Sequence, residues 1–441
     1  EREYFLECRD SPQRQASTHI FFAEREARRI PGLPADTQPL PIRRAAVIGA
    51  GTMGAGIAMS FANAGLPVAL LEVSTEALER GLGVIRKNYA ASVTRGSLTQ
   101  ARADQALALI RGVSDYQALG DADILIEAVF EDMALKREVF TRLDKVAAPG
   151  AILATNTSTL DIDAIAASTT RPAQVAGTHF FSPANVMKLL ENVRGRHTSA
   201  QTIATVMALG RTLGKIPVLA GNCDGFIGNR MLMFYGSETE FLLEEGATPE
   251  QIDRVMEGFG FAMGPLAVRD LAGNDVGFLI RKGRRLPADE RWSPILERIV
   301  AAGRLGQKSA KGFYRYEGRN RIVDPEVTAL IEQVSHELGI RRRTIADEEI
   351  LDRLLHPLVN EGARLLGEGI AIRASDIDVV YVYGYGFPAY KGGPMFWAEQ
   401  SGLSRVVETM QRLAPTHGAR WRPAPLLERL AAARSGFGGG A

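Results

Sequence analysis

His179 and Glu191 are the residues whose types and spacing suggest proton transfer. His179 lies in the aliphatic run VAGTHFF, and Glu191 follows twelve positions later in VMKLLENV, after a turn marked by Ser182-Pro183. Two adjacent strands with so short a connection would set the carboxylate beside the imidazole, orienting the ring and stabilising the imidazolium. Each residue is ambiguous alone, because a strand-end histidine is commonly structural and Glu191 is equally a solvated strand-edge charge. Ser158, in ATNTSTL, follows the strand-like GAILAT at the carboxyl end where open α/β sheets bind ligands. Ser158, Thr159 and Asp161 are also placed to cap a helix beginning near Ile162. Asn229, in GFIGNRM, stands where a helical region begins, and capping or domain packing compete with a ligand role. No metal is expected.

A redox partner for such a base is written earlier in the chain. AAVIGAGTMGAGIAMSFANAG places Gly49-x-Gly51-x-x-Gly54 between an aliphatic strand and an amphipathic helix. Gly49 permits the tight turn, Gly51 lets the backbone approach a pyrophosphate, and Gly54 allows close helix packing, with the helix N-terminus facing the phosphates. Glu72 ends the second strand, where a ribose-binding carboxylate belongs. A carboxylate there repels a 2′-phosphate, so NAD is expected rather than NADP.

These residues need a frame, and alternating βαβ units supply it. Between about Arg44 and Ala220 the runs AAVIG, PVALLE, ADILIEAV, GAILAT, QVAGTHFF and KIPVLA alternate with helical stretches such as ALERGLGVIRKNYAASVTRG and MALKREVFTRLDKVAA. A mostly parallel, doubly wound Rossmann-type α/β domain is expected over 42–221. Residues 1–41 read as a helix (QRQASTHIFFAEREARR) and a Pro-rich linker. From Gly225 onward helical periodicity dominates with no convincing strand, so the remainder is expected to be all helical. It also repeats: Arg230, Leu232, Glu238, Leu243, Glu245 and Gly246 recur 123 positions later as Arg353, Leu355, Glu361, Leu366, Glu368 and Gly369. Gly258-Phe259-Gly260-Phe261 then matches Gly384-Tyr385-Gly386-Phe387, and Gly264-Pro265 matches Gly393-Pro394. Two tandem helical domains are expected, over 222–318 and 348–441, joined by 319–347.

Composition narrows the partners. Lys plus Arg number 52 against 51 Asp plus Glu, so no net field favours nucleic acid or a membrane surface, and a small-molecule substrate is expected. Residues 45–71 lack charge, but five glycines and Pro67 break them into strand, turn, helix and strand rather than a membrane span. Cys8 and Cys223 cannot make a disulfide framework; a reducing compartment, and hence a cytoplasmic location, is expected. The N-terminus carries neither Met nor a signal-peptide pattern and the C-terminal GFGGGA is no recognisable address, so the chain reads as a fragment or processed product.

GAGTMGAGIA, NTSTL, HFFSPANVMKLLE, DGFIGNRM and GRLGQKSAKGFYRY resemble the 3-hydroxyacyl-CoA dehydrogenase family from Arg44 onward. NEGARLLGEGIAIRASDIDVVYVYGYGFPAYKGGPMFW further resembles the dehydrogenase half of multifunctional fatty-acid β-oxidation enzymes of the peroxisomal bifunctional and bacterial types. Residues 1 to about 30 are similar to the segment that leaves an enoyl-CoA hydratase module in such proteins.

The resemblance implies reversible NAD-dependent oxidation of an L-3-hydroxyacyl-CoA. It makes His179 the base and Glu191 its partner, and puts Ser158 and Asn229 at the substrate oxygen. Gly49, Gly51, Met53, Gly54, Glu72, Glu131, Lys136 and Ser182 fall at cofactor-contacting positions. Two of them depart from the family pattern: Ser182 stands where Asn is usual, and Glu72 where Asp is usual. Arg86, Lys87 and Arg95 would meet coenzyme A phosphates or simply form a solvated basic helix face. Rival readings are a β-hydroxyacid dehydrogenase on free acids, which would be expected to use a lysine base, and a non-catalytic NAD-binding scaffold. The repeat further implies a monomer: the two helical copies pack as an internal pseudo-dimer, the NAD-binding domain docks on one, and the second is mainly structural.

Overall fold

The computed structural model describes residues 2–438 except 283, 285, 287–289 and 319. These fall into two compact units. One comprises Ser17–Asn229 with Glu368–Tyr385, and the other Glu1–Ala16, Arg230–Gly367 and Gly386–Ala441.

The first unit is built on an eight-stranded sheet. Its strands are β1 (Ala45–Ile48), β2 (Val68–Leu71), β3 (Ile110–Val113), β4 (Ile124–Glu127), β5 (Ile152–Thr155), β6 (Val175–Phe180), β7 (Leu189–Arg194) and β8 (Ile216–Gly221). The spatial order is β3-β2-β1-β4-β5-β6-β7-β8, and every neighbouring pair is parallel except β6–β7. The first six strands have the Rossmann order, so the direction of winding reverses at β1 and opens a crevice between β1 and β4. Strands β1, β2, β4 and β5 are buried at every position, which requires cover on both faces and explains their unbroken aliphatic character. The helix Thr52–Asn63 lies in the main core with Ala55, Ile57, Ala58 and Phe61 buried among Val47, Leu70 and Ile126. Edge strand β3 was not visible as an aliphatic run, because Arg111 and Gly112 sit at its centre, exposed.

Residues 368–385 join this unit rather than the other. Ala371 bridges Ala220, the Gly221 amide donates to the Ile370 carbonyl at 2.8 Å, and the helix Ala374–Gly384 packs on β7 and β8. A Cβ on Gly384 would stand 2.4 Å from Leu189 Cδ2, so that contact needs a glycine. The N-terminal segment forms two helices, Arg2–Asp10 and Pro12–Glu26, where one was expected. Within this unit, His19 lies 2.8 Å from Asp378 and Arg373 donates to the Glu26 carbonyl at 3.0 Å.

The second unit is helical with one departure from the all-helical expectation. Strands β9 (Arg315–Glu317) and β10 (Asn320–Ile322) form an antiparallel hairpin. Three-residue strands with mostly exposed positions leave no apolar pattern to read. Buried Asp270 tethers the hairpin's approach by accepting from the amides of Phe313 and Tyr314 at 2.9 and 3.0 Å.

Candidate active site

His179 and Glu191 are directly opposite one another across the β6–β7 pair. Opposed residues on antiparallel strands project from the same face, so the ladder itself brings the two side chains together. Nδ1 of His179 lies 2.9 Å from Glu191 Oε2, with both side chains buried. The other oxygen, Oε1, accepts from the amides of Ile227 and Gly228 at 3.2 and 3.1 Å. Glu191 is therefore fixed at both ends, and with Nδ1–H donating to it the imidazole keeps Nε2 as its acceptor. Nε2 has no partner among the described residues. Phe181 packs 4.4 Å from the imidazole, and the loop between the strands carries the cis Ser182–Pro183 peptide. Beneath that loop, the buried Lys215 ammonium donates to the Met187 carbonyl at 2.7 Å and to that of Ala184 at 2.5 Å; burial lowers its pKa to about 8.

Gly228 leads directly to Asn229. The helix Gly228–Glu245 starts here, and Asn229 Oδ1 accepts from the Tyr385 hydroxyl at 2.8 Å, while nothing among the described residues accepts from its Nδ2. The chain His179–Glu191–Gly228–Asn229 thus links the base to a carboxamide through three successive contacts within one unit.

Ser158 is held by Glu131 rather than used as a cap. Glu131 Oε1 accepts from the Ser158 amide and hydroxyl at 2.8 and 3.0 Å and from the Thr157 hydroxyl at 2.6 Å. Burial pushes the Glu131 carboxyl upward, but Lys136 and these hydrogen bonds outweigh it and leave the pKa lowered. Of the three capping candidates, Asp161 does the work, accepting from the Asp163 amide at the start of Ile162–Ala166. Lys136 is buried, with Nζ 2.7 Å from Glu127 Oε1 and 3.4 Å from Glu131 Oε2. Sequence spacing did not single out Glu127, whose carboxylate also accepts from Thr155 at 2.6 Å.

The glycine turn is shaped as a dinucleotide cradle. Gly49 has φ +100, and a Cβ there would come within 2.8 Å of the Ala128 carbonyl oxygen across the β1–β4 crevice. A Cβ on Gly54 would strike the Gly49 carbonyl at 1.8 Å, whereas above Gly51 there is nothing within 4 Å. That is the space a pyrophosphate needs beside a helix N-terminus. Glu72 Oε2 accepts from the Ala50 amide at 3.1 Å and Oε1 from the Val73 amide at 2.9 Å, which sets the carboxylate alongside the turn. Met53 packs against the main core. Arg86, Lys87 and Arg95 are exposed, and Arg86 pairs with Glu79 at 3.3 Å.

A cleft of about 900 Å³ lies beside the Ser158 loop, lined by Thr159, Asp161, Asp163, Asn222 and Asp224 among others. It excludes His179, and Asn222 ties up both Asp161 and Asp163 at 2.6 and 2.9 Å, so it is not the chemical centre.

A family profile described as "3-hydroxyacyl-CoA dehydrogenase, NAD binding domain" matches residues 44–223. The profile for the C-terminal domain of the same family matches 225–316 and again 350–436. The chain belongs to the 3-hydroxyacyl-CoA dehydrogenase family. The NAD-binding domain named by the first profile agrees with the cradle and with the carboxylate of Glu72. The peroxisomal bifunctional enzyme of Cavia porcellus is 46% identical over 93% of this chain and 59% of its own length, and that of Homo sapiens 44% over 93% and 60%. The chain therefore spans about six tenths of the length of these curated relatives. Among solved structures, 3-hydroxybutyryl-CoA dehydrogenase from Escherichia coli superimposes with a TM-score of 0.77 at 32% identity, over 89% of this chain and 99% of that one. The dehydrogenase part of multifunctional enzyme 1 from C. elegans gives 0.68 at 32%, over 93% and 96%.

These relatives overturn the cytoplasmic expectation, because they are named for peroxisomes in animals and plants alike. Low cysteine content and balanced charge describe a protein of any reducing interior, and carry no signal that separates one such compartment from another.

Proposed function

We propose that this chain interconverts L-3-hydroxyacyl-CoA and 3-ketoacyl-CoA, with His179 as the base. The observation that carries this reading is the opposition of His179 and Glu191 on β6 and β7, which fixes the imidazole and leaves Nε2 open. Nε2 takes the proton from the C3 hydroxyl during oxidation and returns it during reduction, while Glu191 stabilises the imidazolium. Asn229 Nδ2 donates to the reacting oxygen, and the Ser158 hydroxyl joins it by turning its one proton from Glu131 to that oxygen, while Glu131 keeps hold of the Ser158 amide. Gly49, Gly51, Gly54 and Glu72 hold the dinucleotide, with Met53, Glu131, Lys136 and Ser182 around it; NAD, when bound, accepts the hydride.

The rivals are an enzyme for free β-hydroxyacids and a scaffold that binds NAD without turnover. Incubation with acetoacetyl-CoA and NADH, following NADH absorbance, separates them. Oxidation of NADH is expected with the CoA ester and not with free acetoacetate; NADH binding without oxidation would leave only the scaffold reading. We further propose that the chain is monomeric, its two helical copies supplying internally what a dimer interface would otherwise provide.

A further inference from the structure

Tyr385 lies in the second helical copy of the sequence, the copy expected to be mainly structural, yet its hydroxyl reaches a residue of the candidate site. It donates to Asn229 Oδ1 at 2.8 Å and has no other polar partner among the described residues. The ring is fixed on three sides. Tyr381 stacks on it at 4.9 Å and 21°, and Phe181, itself 4.4 Å from His179, meets it edge-on at 5.5 Å. A Cβ on Gly228 would stand 2.2 Å from its Cε2, and Tyr381 donates to the Gly228 carbonyl at 3.1 Å, so the helix Ala374–Gly384 and the turn at Gly228 interlock.

A carboxamide has two chemically opposite ends, and only one can assist at the C3 oxygen. Nδ2 donates to a carbonyl or alkoxide; Oδ1 repels it. A hydroxyl with a single polar neighbour gives its proton to that neighbour, since the reverse arrangement would leave the proton unsatisfied. Burial, reinforced by the charge of Glu191, holds the Tyr385 phenol well above its usual range, so it remains a donor.

The geometry points to Tyr385 as a positioning residue for the redox reaction: by donating to Oδ1 it fixes the Asn229 carboxamide with Nδ2 available to the reacting oxygen. This rests on the reading of Asn229 as a ligand of that oxygen. The first helical copy has Phe259 at the equivalent position, which can pack but cannot donate.

The test compares the unmodified protein with Tyr385→Phe, Asn229→Ala and the double variant, using acetoacetyl-CoA and NADH for kinetics and NADH fluorescence for cofactor affinity. Tyr385→Phe keeps the packed ring, so NADH affinity is expected to be unchanged while kcat/KM falls about tenfold. In the Asn229→Ala background the same substitution is expected to cost nothing more, because the group it positions is gone. A purely structural role would lower both backgrounds by the same factor, which overturns the inference. Slow Asn229→Ala beside full-speed Tyr385→Phe overturns it alone; full turnover by Asn229→Ala overturns the reading of Asn229 as well.

Discussion

Arg353 is fully buried, and its guanidinium donates to Glu238 through Nε at 3.0 Å and Nη2 at 2.9 Å. The 123-residue repeat makes Arg230 the counterpart of Arg353 and Glu361 the counterpart of Glu238, and Arg230 Nε donates to Glu361 at 2.6 Å. Each arginine thus meets the glutamate of the other copy. Phe261 and Phe387, also counterparts, pack against each other at 5.5 Å, as equivalent residues do near a two-fold axis.

The two ion pairs differ in burial, which separates their energetic weight. Arg353→Ala removes its bonds to Glu238 and Glu245 and leaves buried Glu238, among the described residues, with Arg420 and Trp421, and is expected to cost about 3 kcal/mol or more. Loss of Arg230, whose side chain is 18% exposed, leaves buried Glu361 with Arg364 at 2.9 Å, and the same change there is expected to cost less, about 1–2 kcal/mol. Urea unfolding of both variants checks this, and equal losses would refute the contrast.

If His179 is the base, His179→Gln retains a ring-sized polar side chain but no proton acceptor of suitable strength. Turnover is expected to fall by about 10²- to 10⁴-fold while NADH still binds. Near-normal turnover would remove His179 from the mechanism.

The pairing of His179 with Glu191 was legible because strand periodicity and a short connection are local features. Gly49, Gly54 and Glu72 were legible for the same reason. The role of Tyr385 was not, since it depends on a packing partner 156 positions away. One signal was present: the repeat aligns Tyr385 with Phe259, so a hydroxyl appears in one copy and not the other. Strand β3 and the β9–β10 hairpin escaped because edge and surface strands need not be apolar. The residue pattern likewise could not foresee that 368–385, helical and part of the repeat, would pack with the sheet unit.

The proposed role of Glu72 in cofactor preference is open to a direct test. The carboxylate, anchored by the Ala50 and Val73 amides, repels a 2′-phosphate, so NADPH is expected to be a poor substitute for NADH. Glu72→Ala is expected to weaken NADH and narrow the difference, as measured by kcat/KM with each cofactor. Equal efficiency of the two cofactors in the unmodified protein would contradict this.

Acid sensitivity is expected to centre partly on His356. This side chain is buried in the helix Asp347–Gly367, and burial, with Arg405 and Arg412 nearby, lowers its pKa from 6.5 to about 4. Below pH 6.5 the unfolded chain takes up a proton that the folded chain refuses, so stability falls as pH drops towards 4, by about 3 kcal/mol from this group. His356→Gln is expected to flatten that part of the profile in urea titrations across this range. An unchanged slope would show that other groups carry it.

The reciprocal contacts bear on the proposed monomer. In a two-fold dimer of single helical domains, each apolar face is covered by its twin. Here Arg353–Glu238, Arg230–Glu361 and Phe261–Phe387 join the two copies inside one chain. A second chain would find that surface already occupied. Gel filtration with light scattering at micromolar concentration is therefore expected to give the mass of one chain, 47.8 kDa, independent of concentration. A stable mass of twice that value would show that the internal pair does not replace a dimer interface.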